Sequence, residues 1–269
     1  MKRITERIRR LFHGSRRQMV TAVSAAFIVY VLLLAGIFSY FHSEDAVTNR
    51  FASQNMAVKL LEPEWDSSGE KKARASEPGM TIPKNPYAVN EGQNDLYIRL
   101  KMTVSLGRFD ASGKYPEYAA DFNNNARRLN SILNAIEMKN GSTTSKLFQW
   151  QDTTGGIENW VLADTCSNQD YYMEKQEPRT LNDGTTEQVF YFYWVSKDSG
   201  GVSTDQMRIA PPQASTNELF RQISIPVYKK DWLGVFDQSY NITLVAQAVP
   251  ADKTESAAVS VQKTKFTDD

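Results

Sequence analysis

The sequence predicts a mostly β body, an antiparallel β-sandwich with one inserted amphipathic helix, behind an N-terminal apolar helix of the export or transmembrane kind. Three observations predict it. The stretch Leu96 to Leu106 alternates apolar and polar side chains without a break. One segment, 121–141, carries its apolar residues at helical spacing instead. A charge-free run of 23 residues, Met19 to Phe41, follows a basic start.

Lys2, Arg3, Arg7, Arg9, Arg10, Arg16 and Arg17 precede that run, against Glu6 alone. Basic residues ahead of an apolar run hold that end in the cytoplasm, so the chain beyond Phe41 is exported. At about 1.5 Å per residue the run reaches roughly 35 Å, enough to span a bilayer as a helix. Two readings stay open for residues 1–41, a signal peptide and a signal anchor. A signal peptide has a shorter apolar region, about 7–15 residues, and a small-x-small cleavage site. The length of this run and the lack of Ala-x-Ala favour an anchor. Ala35, Gly36 and Ser39 nevertheless place small residues late in the run, and Ser39 suits the position before a cut. Both readings export the body.

The chain has 31 basic and 31 acidic residues. Beyond residue 46 the balance is 24 basic to 28 acidic, which leaves no electrostatic footprint for nucleic acid. Cys166 is the only cysteine, so an intrachain disulfide and a Cys-cluster metal site are excluded. It reads as a small buried hydrophobe.

Within the body, 42–249, the segments take turns. FASQNMAVKLL (51–61) reads as a strand, and the polar, Pro/Gly-bounded segment 62–79 as a mobile loop. In Leu96 to Leu106, Leu96, Ile98, Leu100, Met102, Val104 and Leu106 share one parity and face the core. Tyr97, Arg99, Lys101, Thr103 and Ser105 face water. Leu129, Ile132, Leu133 and Ile136 predict a helix over about 121–139, with Asp121 as N-cap and Gly141 as the stop. The residues after Trp160 (WVLA), VFYFYWV (189–195), ELFRQISIPVY (218–228) and NITLVAQAV (241–249) read as further strands. Ser196 to Asp205 reads as a second loop, and 250–269 as a disordered tail.

The chemistry that is missing matters as much. The two histidines are His13 and His42, so no HExxH zinc site and no Ser-His or Cys-His pair can be built in the body. A lysine-assisted serine is left open. The string Asp164 to Asp170 has too few oxygens at calcium-loop spacing, and Asp152 to Ile157 (DTTGGI) reads as a turn. No phosphate loop or dinucleotide fingerprint occurs, so no cofactor and no metal are expected and the chain is not read as an enzyme. In the aromatic run, Phe190, Phe192 and Trp194 face the core while Tyr191 and Tyr193 point toward a rim. Trp65 and Trp150 are open to surface roles.

Three blocks then resemble a known family. The export region ending in YFHSEDAVTNRFASQNMAVKL looks like the start of the TasA- and camelysin-type exported proteins of Gram-positive bacteria, substrates of the signal peptidase SipW. The stretch Glu77 to Val104 is similar to the family's Pro-Gly, Lys-x-Pro, Val-x-Asn-x-Gly and Tyr-Val-Arg sequence, here Pro78, Gly79, Lys84, Pro86, Val89, Asn90, Gly92, Tyr97 and Arg99. Ser215 to Asp252 is similar to the family's closing strands. Together the blocks cover roughly half the chain, in family order. The departures are a longer basic N-terminus, the charged loop after Trp65 and extra sequence over 196–212.

The resemblance implies a jelly-roll-like sandwich and cleavage between Ser39 and Tyr40, with Ile37 a poor match to a small-residue rule. It implies a secreted biofilm-matrix subunit that forms fibres by donor-strand exchange with copies of itself or a related subunit. The candidate donor strand contains Tyr40, Phe41, Ala46, Val47 and Phe51. The signal peptidase would be a partner during export, and the membrane a partner through residues 19–41 before cleavage. A membrane-anchored surface binding module that does not polymerise is the alternative, and a camelysin-like metallopeptidase a weaker one.

Overall fold

A computed structural model describes residues 57–74, 77–106, 124–196, 206–227 and 240–252, with Ala257 and Phe266. All belong to the second of the chain's two units, residues 48–269. The apolar run, the Ser39–Tyr40 cleavage position, the donor residues Tyr40, Phe41, Ala46, Val47 and Phe51, the proposed Asp121 cap and the Ser196 to Asp205 loop beyond Ser196 lie outside the described residues. Among the described residues no helix is long and apolar enough to cross a membrane.

The body is mostly β, and its pairings are antiparallel. A small sheet pairs β1 (Val58–Leu61) with β3 (Tyr87–Asn90). A four-stranded sheet orders β2 (Thr81–Pro83), β13 (Gln222–Ser224), β5 (Ile136–Asn140) and β6 (Thr143–Lys146). A hairpin joins β7 (Phe148–Asp152) to β8 (Val161–Cys166), with register shifts on either side of Trp150. The largest sheet is built on β4 (Leu96–Leu106). On one side β14 (Tyr240–Pro250) pairs with all of it. On the other, β11 (Thr186–Trp194) pairs with residues 99–106 and β12 (Ile209–Ala210) with Leu96 and Tyr97. The outer edge of β11 takes β9 (Tyr171–Lys175) and β10 (Arg179–Thr180).

The alternation of β4 holds to the last residue: Leu96, Ile98, Leu100, Met102, Val104 and Leu106 are all fully buried. Leu100 stands opposite Phe192 on β11 and Ala246 on β14. These side chains share one core with Ile82, Ile136 and Ile223 of the four-stranded sheet. Phe148 packs between the layers, its ring 4.8 Å from Phe190 and 6.2 Å from Phe192.

The other face of β4 departs from expectation. Lys101, Thr103 and Ser105 are half-buried, but Tyr97 and Arg99 are buried. Tyr97 belongs to a second apolar cluster with Val189, Tyr191, Tyr193, Val195, Met207 and Val249, which Ala257 and Phe266 also join, and Arg99 lies against its Tyr191 and Phe266 rings. Tyr191 and Tyr193 are therefore interior rather than at a rim, and Ala257 and Phe266 supply part of their cover.

The helix α2 (Asn125–Ala135) is preceded by α1 (Glu70–Arg74) far earlier in the chain. Asn124 caps α2, its Oδ1 accepting from the Arg127 N–H at 3.0 Å, and Leu129, Ile132 and Leu133 are buried as their spacing predicts. The helix ends at Ala135, not near 139. Ile136 and Glu137 are claimed by β13, opposite Ile223 and Gln222. Gly141 does not stop the helix. It starts the two-residue loop Gly141–Ser142 between β5 and β6 at φ +62°, the position where a II′ hairpin turn demands glycine. Among the described residues 218–227 of the predicted strand 218–228, only Gln222–Ser224 is strand.

Within segment 62–79, residues 65–74 are helical rather than loop. Trp65–Gly69 forms a π-helical turn, the Glu70 N–H donating to Trp65 O, and runs into α1. Gly69 is required there, because a Cβ would meet Pro83 O at 2.2 Å.

Substitution at two neighbouring positions of β4 separates the faces. Leu100→Ala should lower unfolding free energy by about 2–5 kcal/mol, whereas Lys101→Ala should cost no more than about 1 kcal/mol. Urea unfolding of both variants checks the assignment, and equal losses would contradict it.

Candidate functional site

Of the three resembling blocks, the middle one lies in the described part, and the structure gives most of its residues Pro78, Gly79, Lys84, Pro86, Val89, Asn90, Gly92, Tyr97 and Arg99 positioning roles. Asn90, fully buried, is the hub. Its Nδ2 donates to Asn94 O and Ala210 O, each at 2.8 Å, and its Oδ1 accepts from the Gly92 N–H at 2.9 Å. It thereby ties β3 to β12 and shapes the turn into β4. Pro86 O accepts from the Leu219 N–H at 2.9 Å. Gly79 sits in a turn at φ +82°.

Lys84 has a more specialised place. It is buried, and its Nζ reaches Glu62 Oε1 at 2.8 Å and Oε2 at 2.9 Å. The same ammonium lies 4.4 Å from the centre of the Trp65 ring. Trp65 thus serves the interior rather than a surface contact. Asn85 fastens the same segment, its Oδ1 accepting from Glu64 N–H and its Nδ2 donating to Glu218 Oε1, both at 2.9 Å.

The densest polar arrangement lies on the outer face of the largest sheet and was missed in the sequence. Strand register creates it. Arg99 stands opposite Tyr193 on β11 and Gln247 on β14. Its Nε donates to Gln247 Oε1 at 2.7 Å and its Nη1 to the Tyr193 hydroxyl oxygen at 3.0 Å. Tyr193 in turn donates to Glu174 Oε2 at 2.8 Å, so the chain of bonds leads from a buried cation to an exposed carboxylate. The guanidinium stacks 4.2 Å from the Tyr191 ring and 4.3 Å from the Phe266 ring. Burial pushes the Tyr193 phenol up to about 12, against the neighbouring Arg99 charge, so it stays protonated and able to donate at neutral pH. The signal available in the sequence was parity: Arg99, Tyr191, Tyr193 and Gln247 all take the non-core phase of their strands.

A third cluster joins β5, β6 and β13. Glu137 accepts from Lys146 Nζ at 2.6 Å, Gln222 Nε2 at 2.9 Å and the Ser224 hydroxyl. Burial alone would raise this carboxyl, but those donors and the Lys146 charge hold it below its ordinary value.

Nucleophile chemistry finds little support in these surroundings. Burial raises the Cys166 thiol to about 11, and its Sγ lies 3.4 Å from Asn168 O, so it remains a thiol at neutral pH. Ser-x-x-Lys spacing does occur, at Ser68–Lys71 and Ser260–Lys263. The Ser68 hydroxyl donates back to Glu64 O at 3.5 Å and Lys71 is exposed, while the second pair lies outside the described residues. Among the described residues no group of three or more His, Cys, Asp or Glu is placed to hold a metal. Trp150 and Trp160 meet edge to face at 5.5 Å, partly buried rather than side by side as a platform.

These features define an antiparallel β body held by buried polar ties. Compared with known proteins, the chain matches no family model and no curated sequence.

Each tie has a measurable consequence. Lys84→Met should cost about 3–5 kcal/mol by leaving Glu62 buried without its cation, and adding Glu62→Gln should recover most of the loss. Chemical unfolding of the single and double variants reads this directly. Tyr193→Phe should cost about 1.5–3 kcal/mol, since the hydroxyl it removes bonds two charged groups.

The Glu137 cluster predicts a pH effect. A carboxyl held below its ordinary value of 4.5 in the fold contributes stability above that pH, and the contribution is lost as pH falls through the lowered value. Glu137→Gln should flatten the acid limb of a stability–pH curve relative to the unsubstituted chain. An unchanged limb would remove Glu137 from the account.

Proposed function

We propose that this protein is an exported structural protein of the cell surface or extracellular matrix, a fibre subunit with a jelly-roll-like sandwich. The observation that carries the reading is the order of the chain. A basic start, a 23-residue charge-free run and a short polar stretch precede a body that is mostly β. The three blocks of resemblance to TasA- and camelysin-type proteins follow the same order. In this reading, cleavage between Ser39 and Tyr40 frees a donor strand that includes Tyr40, Phe41, Ala46, Val47 and Phe51.

Donor-strand exchange needs an edge that lacks a neighbour. Among the described residues β2 and β6 close the four-stranded sheet with one strand partner each, and Thr143, Thr144 and Ser145 of β6 are exposed. β6 is short and carries a single charge, on Lys146, which is already bound to Glu137. Such an edge is compatible with accepting a strand from a second copy.

The 23-residue run also favours a second reading, a membrane-anchored surface module that never polymerises. The mass of the protein recovered outside the cell separates the two, since a cleaved chain begins at Tyr40 and an anchored one stays intact in washed membranes. Deleting Tyr40 to Val47 while keeping a working cleavage site should then yield a folded, secreted monomer that fails to join fibres. A deletion variant that misfolds would place the segment inside its own domain and defeat the donor role. Ser39→Pro should leave the chain in the membrane.

A further inference from the structure

We propose that the outer face of the largest sheet is a docking surface for the Phe266 segment, and that a second copy of this chain can supply that segment in place of the chain's own. The face is built for an aromatic occupant. Tyr97, Arg99, Tyr191 and Tyr193 are each under a tenth exposed, and Phe266 shares a cluster with the three tyrosines. Its ring is 4.3 Å from the Arg99 guanidinium and meets Tyr193 edge to face at 5.9 Å. A cation at this distance from a ring is attracted by its quadrupole, more so when water is excluded. Phe266 is the only aromatic residue after Tyr240, so no other residue of the C-terminal segment could replace it.

Chain length argues for exchange between copies. Pro250 stands opposite Leu96 on β4, and Arg99 lies three residues further along. At about 3.3 Å per strand residue, the anchor point is roughly 10 Å from where β14 ends. Thirteen residues separate Asp252 from Phe266, with a contour of about 45–50 Å. The connection is several times longer than closure onto its own face requires, and so can reach a neighbour. Contacts made by a second copy's Phe266 are identical to those made within one chain. Exchange therefore costs no contact energy, and local concentration decides between the two arrangements. This inference concerns the C-terminal end and does not rest on the N-terminal donor strand.

The test uses a fluorescent peptide of residues 253–269 and the full chain in mild detergent. The Phe266→Ala chain, its face vacated, should bind the peptide saturably by anisotropy. The unsubstituted chain should bind it at least about tenfold more weakly, because its own segment competes at an effective concentration on the order of millimolar. A peptide carrying Phe266→Ala should not bind. For exchange between copies, the Phe266→Ala chain as acceptor is mixed with an Arg99→Gln chain as donor, and sedimentation should reveal a one-to-one complex absent from either alone. Should Arg99→Gln fail to fold, the unsubstituted chain serves as donor. No saturable binding of the peptide to a folded Phe266→Ala chain, or equal binding with and without Phe266, overturns the docking surface. A mixture that stays monomeric while the peptide binds overturns the exchange.

Discussion

The strict alternation of β4 is the constraint on which the rest of the body depends. A strand shows successive side chains to opposite faces, so a one-residue slip would exchange its two faces completely. Here the slip would turn Leu100 outward and drive Arg99 and Lys101 into a core made by Phe190, Phe192 and Ile223. Both long neighbours, β11 and β14, are thereby held in one register. That register aligns Leu100 with Phe192 and Ala246 on one side of the sheet and Arg99 with Tyr193 and Gln247 on the other. Core and polar layer are consequences of the same pairing.

The two faces solve different problems. On the inner face, apolar burial is non-directional, and Phe148, Ile136 and the helix residues Leu129, Ile132 and Leu133 have only to fill space. On the outer face a buried guanidinium must have its donors met, because an unpaired buried charge is costly. Gln247 and Tyr193 supply acceptors in fixed directions, and the Tyr191 and Phe266 rings supply faces. The outer layer thus demands particular partners where the inner layer tolerates many.

Legibility in the sequence follows the range of the interactions involved. Strand β4 was readable because its period runs for eleven residues, and the face Leu96, Ile98, Leu100, Met102, Val104 and Leu106 came out complete. The core of α2 was readable for the same reason. Its end was not, since Ile136 fits a helical stripe and a strand equally well, and only pairing with Ile223 decides between them. The Asn140–Gly141 pair was a local hairpin signal that the helical pattern overshadowed. Lys84 and Glu62 are 22 positions apart, and Arg99 and Gln247 are 148 apart. No local pattern announces contacts of that separation. Two-residue strands such as β10 and β12 exist because a partner strand is present, so they too were invisible.

The position of the resembling residues bears on what the resemblance can mean. Asn90 binds two carbonyls from separate parts of the chain, Gly79 turns the backbone at positive φ, and Lys84 neutralises a buried carboxylate. Each does work that any protein with this strand arrangement would need, whatever it binds. These residues therefore act on the β architecture itself. Away from these ties, the described body offers two features to another chain, the exposed edge of β6 and the aromatic face that Phe266 covers. Both are places where a segment of another chain could pair through its backbone or insert an aromatic anchor. Each accommodates a segment rather than a small molecule, because what it offers is an open strand edge or a flat ring-lined face.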